Sequence, residues 1–233
     1  MIREMKGLVV LFSLFLLNAA ERQDLSGKMF TFPVESNTHH VVLSPETNKI
    51  FFAVTVCLRA FSDISRAQSL FSLSLPSTDN GFLIYKQKQG AYSVYVLGQS
   101  AEFWGLQDES NVWNSVCATW DASTGLAQLW VNGIPSSRKG IKAGSSLTGA
   151  PKIILGQEQD SYGGKFDTVQ SFVGMLTDVH MWDFVLSPHQ ITYYTYGGMI
   201  QPGNVLKWNS LEFSRNGYVV IENKETSRKA GNG

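Results

Sequence analysis

The stretch PKIILGQEQDSYGGKFD, Pro151 to Asp167, runs a short apolar segment into acid, amide and acid, and then into two adjacent glycines. If the chain stays extended here, the side chains of Glu158 and Asp160 leave the same face, roughly 7 Å apart at their Cα atoms, with the carbonyl of Gln159 between them. Three readings are open: a solvated turn, the paired carboxylates of a sugar-cleaving enzyme, or an oxygen-rich cage for a hard cation. Taken alone, the stretch reads first as a solvated turn. Calcium accepts six to eight oxygens from carboxylates, amides and carbonyls, which this segment offers, with Asp167, Gln170 and the flexible Gly163 and Gly164 able to fold back over it. Zinc would require nitrogen or sulfur ligands that are missing here. A glycosidase would require a matched carboxyl pair, and the glucanases that present Glu-x-Asp on a strand carry another Glu two residues on, where this chain has Tyr162.

The surrounding sequence is rich in strand signals. Runs at 50–61, 69–75, 82–87, 91–97, 112–120, 126–131, 151–155 and 172–182 combine β-branched and aromatic residues. In SLFSLSL, Phe71, Leu73 and Leu75 alternate with Ser72 and Ser74, the period of a half-buried strand. Turn chemistry separates the runs: Asp79-Asn80-Gly81, the segment DASTG at 121–125, and Asn132-Gly133. One segment predicts a helix, from Pro188 to about Tyr196, with Ser187 as N-cap, Gln190 completing a capping box and Gly197 past the end. Many short antiparallel strands with one late α-helix describe an all-β fold, a flattened antiparallel sandwich or jelly roll of the lectin type. No internal repeat or linker divides it.

Residues 1–20 place Arg3 and Lys6 before an apolar run ending in Ala19-Ala20, the layout of a secretory signal peptide, so the mature chain is expected to be secreted. No later stretch is apolar for long enough to span a membrane. Removing Arg3, Lys6 and Glu4 with that leader leaves 17 basic against 18 acidic residues, and the basic ones form no stripe, which argues against a nucleic-acid partner. His39 and His40, adjacent on an extended chain, read as surface residues. Two cysteines in an oxidising compartment, Cys57 and Cys117, most simply form one disulfide. The tail from 222 to 233 is polar and is expected to be mobile, leaving a folded domain over residues 21–221.

At the level of motifs, GQEQDSYGGKFD, followed by QSFVG and MWDFVLSP, is similar to the calcium-binding region of the pentraxins. DLSGKMFTFP, SDISRAQSLFS and DNGFLIY resemble earlier segments of the same family, so the likeness spans Asp24 to Ile221. The resemblance implies a flattened jelly roll with two calcium ions on one face, a disulfide, a helix on the opposite face, and assembly into a cyclic pentamer. It implies a first ion held by Asp79, Asn80, Glu158, the carbonyl of Gln159 and Asp160, and a second held by Glu158, Asp160, Asp167 and Gln170. The four carboxylates carry a formal charge that two calcium ions cancel. Leu83, Tyr85 and Tyr95 correspond to a small pocket for an apolar part of the ligand.

The function implied is that of a non-enzymatic pattern-recognition lectin of innate immunity, binding anionic head groups or carbohydrates through calcium, with complement components as partners. Where phosphocholine-binding members carry a Glu, the alignment puts Ser100, with Glu102 two residues on. Bulky Tyr95 also fills the choline slot, so phosphoethanolamine or acidic carbohydrate is the expected ligand. Around the second cysteine, Ser115 and Ala122 depart from the family pattern while Cys117, Thr119 and Trp120 keep it.

Overall fold

The computed structural model describes residues 22–47, 49–198 and 201–224. The leader at 1–20 and the tail beyond Lys224 lie outside the described residues. The first half supplies β1 (Lys28–Phe32), β2 (His40–Ser44), β3 (Ala53–Phe61), β4 (Gln68–Leu75), β5 (Thr78–Lys88), β6 (Ala91–Val96) and β7 (Gln99–Trp104). Then follow β8 (Asn114–Asp121), β9 (Leu126–Val131), the short β10 (Ile134–Pro135) and β11 (Lys139–Gly140), and β12 (Lys152–Leu155). β13 (Gly174–Trp182), α1 (Pro188–Thr195), β14 (Glu212–Asn216) and β15 (Val220–Asn223) complete the chain.

These strands form two antiparallel sheets packed face to face. One, of eight strands, runs β10-β9-β8-β3-β13-β1-β15, with β11 also on β9; the other, of seven, runs β14-β2-β12-β4-β5-β6-β7. Alternation decides which side chains enter the space between them: Val54, Val56 and Leu58 of β3, Phe71 and Leu73 of β4, Phe82 and Ile84 of β5, and Ala118 and Trp120 of β8 are all buried there. A second apolar cluster lies on the outer face of the eight-stranded sheet, where Ile191 and Tyr194 of α1 cover Trp130, Trp182, Leu186 and the cystine. Cys57 and Cys117 sit directly opposite each other on β3 and β8 and form the disulfide.

The helix begins as its sequence dictates, with the Ser187 side chain accepting from the Gln190 backbone and the Gln190 side chain accepting from the Ser187 backbone. Asn132 and Gly133 have φ of 51° and 80°, the left-handed pair that a two-residue hairpin turn requires.

Four expectations need correction. Asp79-Asn80-Gly81 is not a turn; it belongs to β5, and Pro76 and Ser77 turn the chain instead. A register shift between Leu73 and Leu75 presses β4 against this point, where a Cβ on Gly81 would meet Leu75 Cγ at 2.9 Å. Glycine is needed there for close approach, not for reversal. Secondly, β4 is buried on both faces, since Ser72 and Ser74 are 0% exposed. Thirdly, the ordered chain runs past Ile221, because Glu222 and Asn223 pair with Met29 and Lys28 on β1. Finally, His39 and His40 are partly buried, and His40 packs on Phe166 with ring centroids 4.8 Å apart. Burial lowers the pKa of His40.

Candidate calcium and ligand site

What covers the outer face of β4 is the segment that follows β12. The strand ends at Leu155, and Gly156, with φ of 90°, turns the chain where any Cβ would overlap the Phe32 ring. The next three residues are buried and alternate in what they do. Gln157 donates through Nε2 to the carbonyls of Ser36 at 2.6 Å and His39 at 2.9 Å. Gln159 donates to the Ser72 carbonyl and hydroxyl and accepts from Ser74 Oγ at 2.7 Å. Its Oε1 also accepts from the Gly163 backbone at 3.0 Å. The two amides therefore pin the backbone on either side of Glu158. Sequence reasoning valued Gln159 for its carbonyl and missed this role of its side chain. The signal was the pair of outward serines on β4, which had to meet a polar partner if they were not in water.

The two glycines close a tight hairpin rather than a flexible flap. Ser161 and Gly164 exchange backbone hydrogen bonds of 3.2 and 3.1 Å, Gly163 has φ of 82°, and Lys152 Nζ lies 4.4 Å from the Tyr162 ring centroid. Beyond it, Asp167 caps the 3-10 turn Thr168–Gln170, accepting from Val169 N at 3.1 Å. Arg66 fastens that turn to the sandwich by donating to the carbonyls of Val169 and Ser171.

On this frame Asp79 and Asn80 of β5 stand beside Glu158 and Asp160. Glu158 is 3% exposed, and its pKa is pushed up to about 7, first by burial, then by Asp160, with Asp79 adding and a hydrogen bond to Asn80 opposing. Asp160 and Asp167 are exposed at the rim. Among the described residues, no three His, Cys, Asp or Glu side chains are drawn together tightly enough to hold a metal. The arrangement is instead a mixed oxygen set, and three of its atoms are unusual. Asn80 Oδ1, Glu158 Oε2 and Gln170 Oε1 are all buried without a hydrogen-bond partner. Unpaired buried acceptors cost roughly 1–3 kcal/mol each, and more when charged. Three of them at the positions expected to ligate fit a pair of hard cations, one meeting Asn80, the other Gln170, and both Glu158.

Beside this group, Leu83 and Tyr95 face each other across β5 and β6, and Tyr85 faces Ser93. Leu83 is buried, while Tyr85 and Tyr95 are partly open. Burial, then the Glu158 charge and Tyr95, push the Tyr85 hydroxyl up to about 12; burial, Glu102 and Glu158 raise Tyr95 as well. Both tyrosines thus lie within electrostatic reach of the Glu158 carboxylate. The register places Ser100 opposite Tyr95 and Glu102 opposite Ser93. Glu102 Oε2 is engaged by Ser93 Oγ at 2.6 Å and Gln87 Nε2 at 2.5 Å.

If calcium occupies this site, the raised Glu158 carboxyl would make its uptake depend on pH. A proton held with a pKa near 7 competes with the ion, so affinity is expected to fall about tenfold from pH 8 to pH 6. A carboxyl at its ordinary 4.5 would leave affinity flat over that window, and a flat titration would contradict the assignment. In chelated protein the same group opposes folding as pH rises from 4.5 through 7, because the folded state keeps a proton that the unfolded chain has released.

A jelly-roll sandwich presenting acceptor oxygens and tyrosines on the outer face of one sheet is the architecture of a lectin-type binding domain. The model of the Pentaxin family matches residues 28–223, and the chain belongs to the pentraxin family. It is 45% identical to the serum amyloid P-component of Cavia porcellus over 214 residues, covering 92% of this chain and 95% of that one. To the serum amyloid P-component of Homo sapiens it is 45% identical over 207 residues, covering 89% and 92%. Among solved structures, the native heptameric SAP-like pentraxin from Limulus polyphemus has the same fold, with a TM-score of 0.77 at 24% identity, covering 85% of this chain and 95% of that one. Family membership makes the chain a non-enzymatic protein, so the glycoside hydrolase alternative is set aside. No helix among the described residues is long and apolar enough to cross a membrane.

Proposed function

We propose that this chain is a secreted, calcium-dependent pattern-recognition lectin that binds phosphorylated or acidic head groups and carbohydrates on microbes or cell debris. The observation that carries the reading is the trio of buried, unpartnered oxygens on Asn80, Glu158 and Gln170. In this reading two calcium ions fill the site, with Asp79, Asp160, Asp167 and the Gln159 carbonyl completing the ligand set. Ions gripped from one side keep coordination positions open, and phosphate or carboxylate oxygens of a ligand fill them reversibly. No bond is broken.

The remainder of the ligand rests on Leu83, Tyr85 and Tyr95. Ser100, not a carboxylate, stands opposite Tyr95, and Glu102 is already bonded to Ser93 and Gln87. That supports phosphoethanolamine or acidic sugar over phosphocholine, because the Glu102 carboxylate is held in place by Ser93 and Gln87 and bulky Tyr95 occupies the space a quaternary ammonium needs. Individually weak sites gain roughly two to four orders of magnitude when linked on a repetitive surface, which suits a cyclic homo-oligomer, here a pentamer. Complement components are the partners such a ring would engage.

Immobilised phosphoethanolamine tests this reading. The protein should be retained in calcium, elute with chelator, and be retained less well on phosphocholine resin. Retention that survives chelator, or stronger retention by phosphocholine, would contradict it.

A further inference from the structure

The face that carries the tyrosines continues past them. β7 is the edge strand of the seven-stranded sheet, and its alternation sends Ala101 and Phe103 into the core and Ser100, Glu102 and Trp104 onto the outer face. The register sets three rungs between β6 and β7: Tyr95 with Ser100, Ser93 with Glu102, and Ala91 with Trp104. Successive rungs are two residues apart, so Trp104 stands roughly 14 Å from Tyr95 along the strands. Its rung partner is only an alanine, which gives the indole little cover, and Trp104 is 59% exposed. By contrast, Trp120, Trp130, Trp182 and Trp208 are buried.

Between Tyr95 and Trp104 lies a polar rung that is held in place and only partly used. Glu102 Oε2 accepts from Ser93 Oγ and Gln87 Nε2, which fixes the plane of the carboxylate. Its other oxygen, Oε1, is not buried and has no hydrogen-bond partner among the described residues. A carboxylate oxygen so oriented accepts strongly from a ligand hydroxyl. Burial first, then the charges of Glu102 and Glu158, raise the Tyr95 hydroxyl, so Tyr95 lies within electrostatic reach of both carboxylates and joins this rung to the site already described. The Glu102 charge repels the acidic end of any ligand from Trp104. Lys88, exposed at the end of β5 and opposite Ala91, disfavours a cation there as well. What these groups admit together is an uncharged ring with one apolar face and hydroxyls at its rim.

We propose that Trp104, with Glu102 beside it, forms a second subsite on this face, taking a neutral sugar ring of an acidic oligosaccharide whose charged end lies on calcium. The apolar face of the ring rests on the indole, and its hydroxyls donate to Glu102 Oε1. The bound chain therefore has one polarity, acid toward Glu158 and neutral sugar toward Trp104. A single head group or monosaccharide held at the calcium end does not reach Trp104, so the subsite selects for chain length. The orientation of the chain rests on the calcium reading, whereas the platform is built from β5, β6 and β7 alone.

Glucose 6-phosphate, neutral cellotetraose, and cellotetraose phosphorylated on the 6-position of its non-reducing glucose are the probes, each titrated into the full protein. In calcium, the phosphorylated tetrasaccharide should bind about tenfold more tightly than glucose 6-phosphate, the worth of one stacked ring. Trp104→Ala should erase that gain, Trp104→Phe should keep part of it, and Glu102→Gln should cut it about threefold. Glucose 6-phosphate should bind all three variants as it binds the native chain, which also shows that they fold. In chelator, neutral cellotetraose should still change the tryptophan fluorescence saturably at millimolar concentration, and should fail to do so in Trp104→Ala. Failure of glucose 6-phosphate to bind in calcium would count against the calcium reading and leave the chelator titration to decide the subsite. A gain with chain length that survives Trp104→Ala, no saturable response to cellotetraose, or a response to tetramethylammonium in its place would each overturn the proposal.

Discussion

Glu158→Gln is expected to weaken calcium binding on the order of 100-fold, because it removes the buried one of the two carboxylates, Glu158 and Asp160, that both proposed ions share, and lowers the ligand charge that sets calcium affinity. The substitution is nearly isosteric, and the flanking anchors of Gln157 and Gln159 do not depend on the charge. The fold should therefore survive. Indeed, without calcium the variant should be at least as stable as the native chain at pH 8, since a buried, crowded carboxylate has been neutralised. The drop in affinity between pH 8 and pH 6 should vanish with it. Calcium titration and urea unfolding, run side by side on both proteins, separate the outcomes. Unchanged affinity would contradict the role of Glu158, whereas reduced stability in chelator would contradict the electrostatic argument behind it.

Removing the disulfide is expected to have the largest effect on stability. Cys57 and Cys117 are separated by 60 residues in sequence, and closing a loop of that size stabilises the fold by about 4 kcal/mol in the chain-entropy model. The enclosed segment contains β4 through β7, four of the seven strands in the sheet that carries the tyrosines. Both sulfurs are buried in the cluster under α1, so Cys57→Ala/Cys117→Ala also thins the packing against Trp130 and Trp182. The urea midpoint should fall accordingly, with calcium affinity of the folded protein little changed. A loss below about 1 kcal/mol would show that strand pairing alone holds β3 against β8.

Much of this was legible because local chemistry and tertiary structure agreed. The capping box at Ser187, the Asn132-Gly133 turn and the β9 run from Leu126 to Val131 each lie where their residues place them. Other elements were not read. β7 alternates Ala101 and Phe103 inward with Ser100, Glu102 and Trp104 outward, but the exposed Trp104 blurs the period. β1 and β15 mix polar and apolar residues and acquire their meaning only through pairing with each other and with β13.

For the proposed site, the sequence offered the candidate ligands but not the amide contacts that hold the loop. Glu158 and Asp160 stand out as a pair on one face, but taken alone they read as a solvated turn, and Asp79 joins them only through the family resemblance. That Gln159 locks the loop on Ser72 and Ser74, or that Arg66 pins the turn carrying Gln170, depends on contacts more than 80 residues apart in sequence. Likewise, the Asp79-Asn80-Gly81 signal was sound turn chemistry overridden by a bulge in the neighbouring strand.

The central claim is that a nest of unsatisfied acidic and amide oxygens becomes a receptor for anions once divalent cations occupy it. Calorimetric titration of calcium into chelator-stripped, full-length protein at pH 8 measures this most directly. The account predicts uptake of two ions per chain and a matching rise in thermal stability. A folded protein that takes up no calcium at millimolar supply would contradict it.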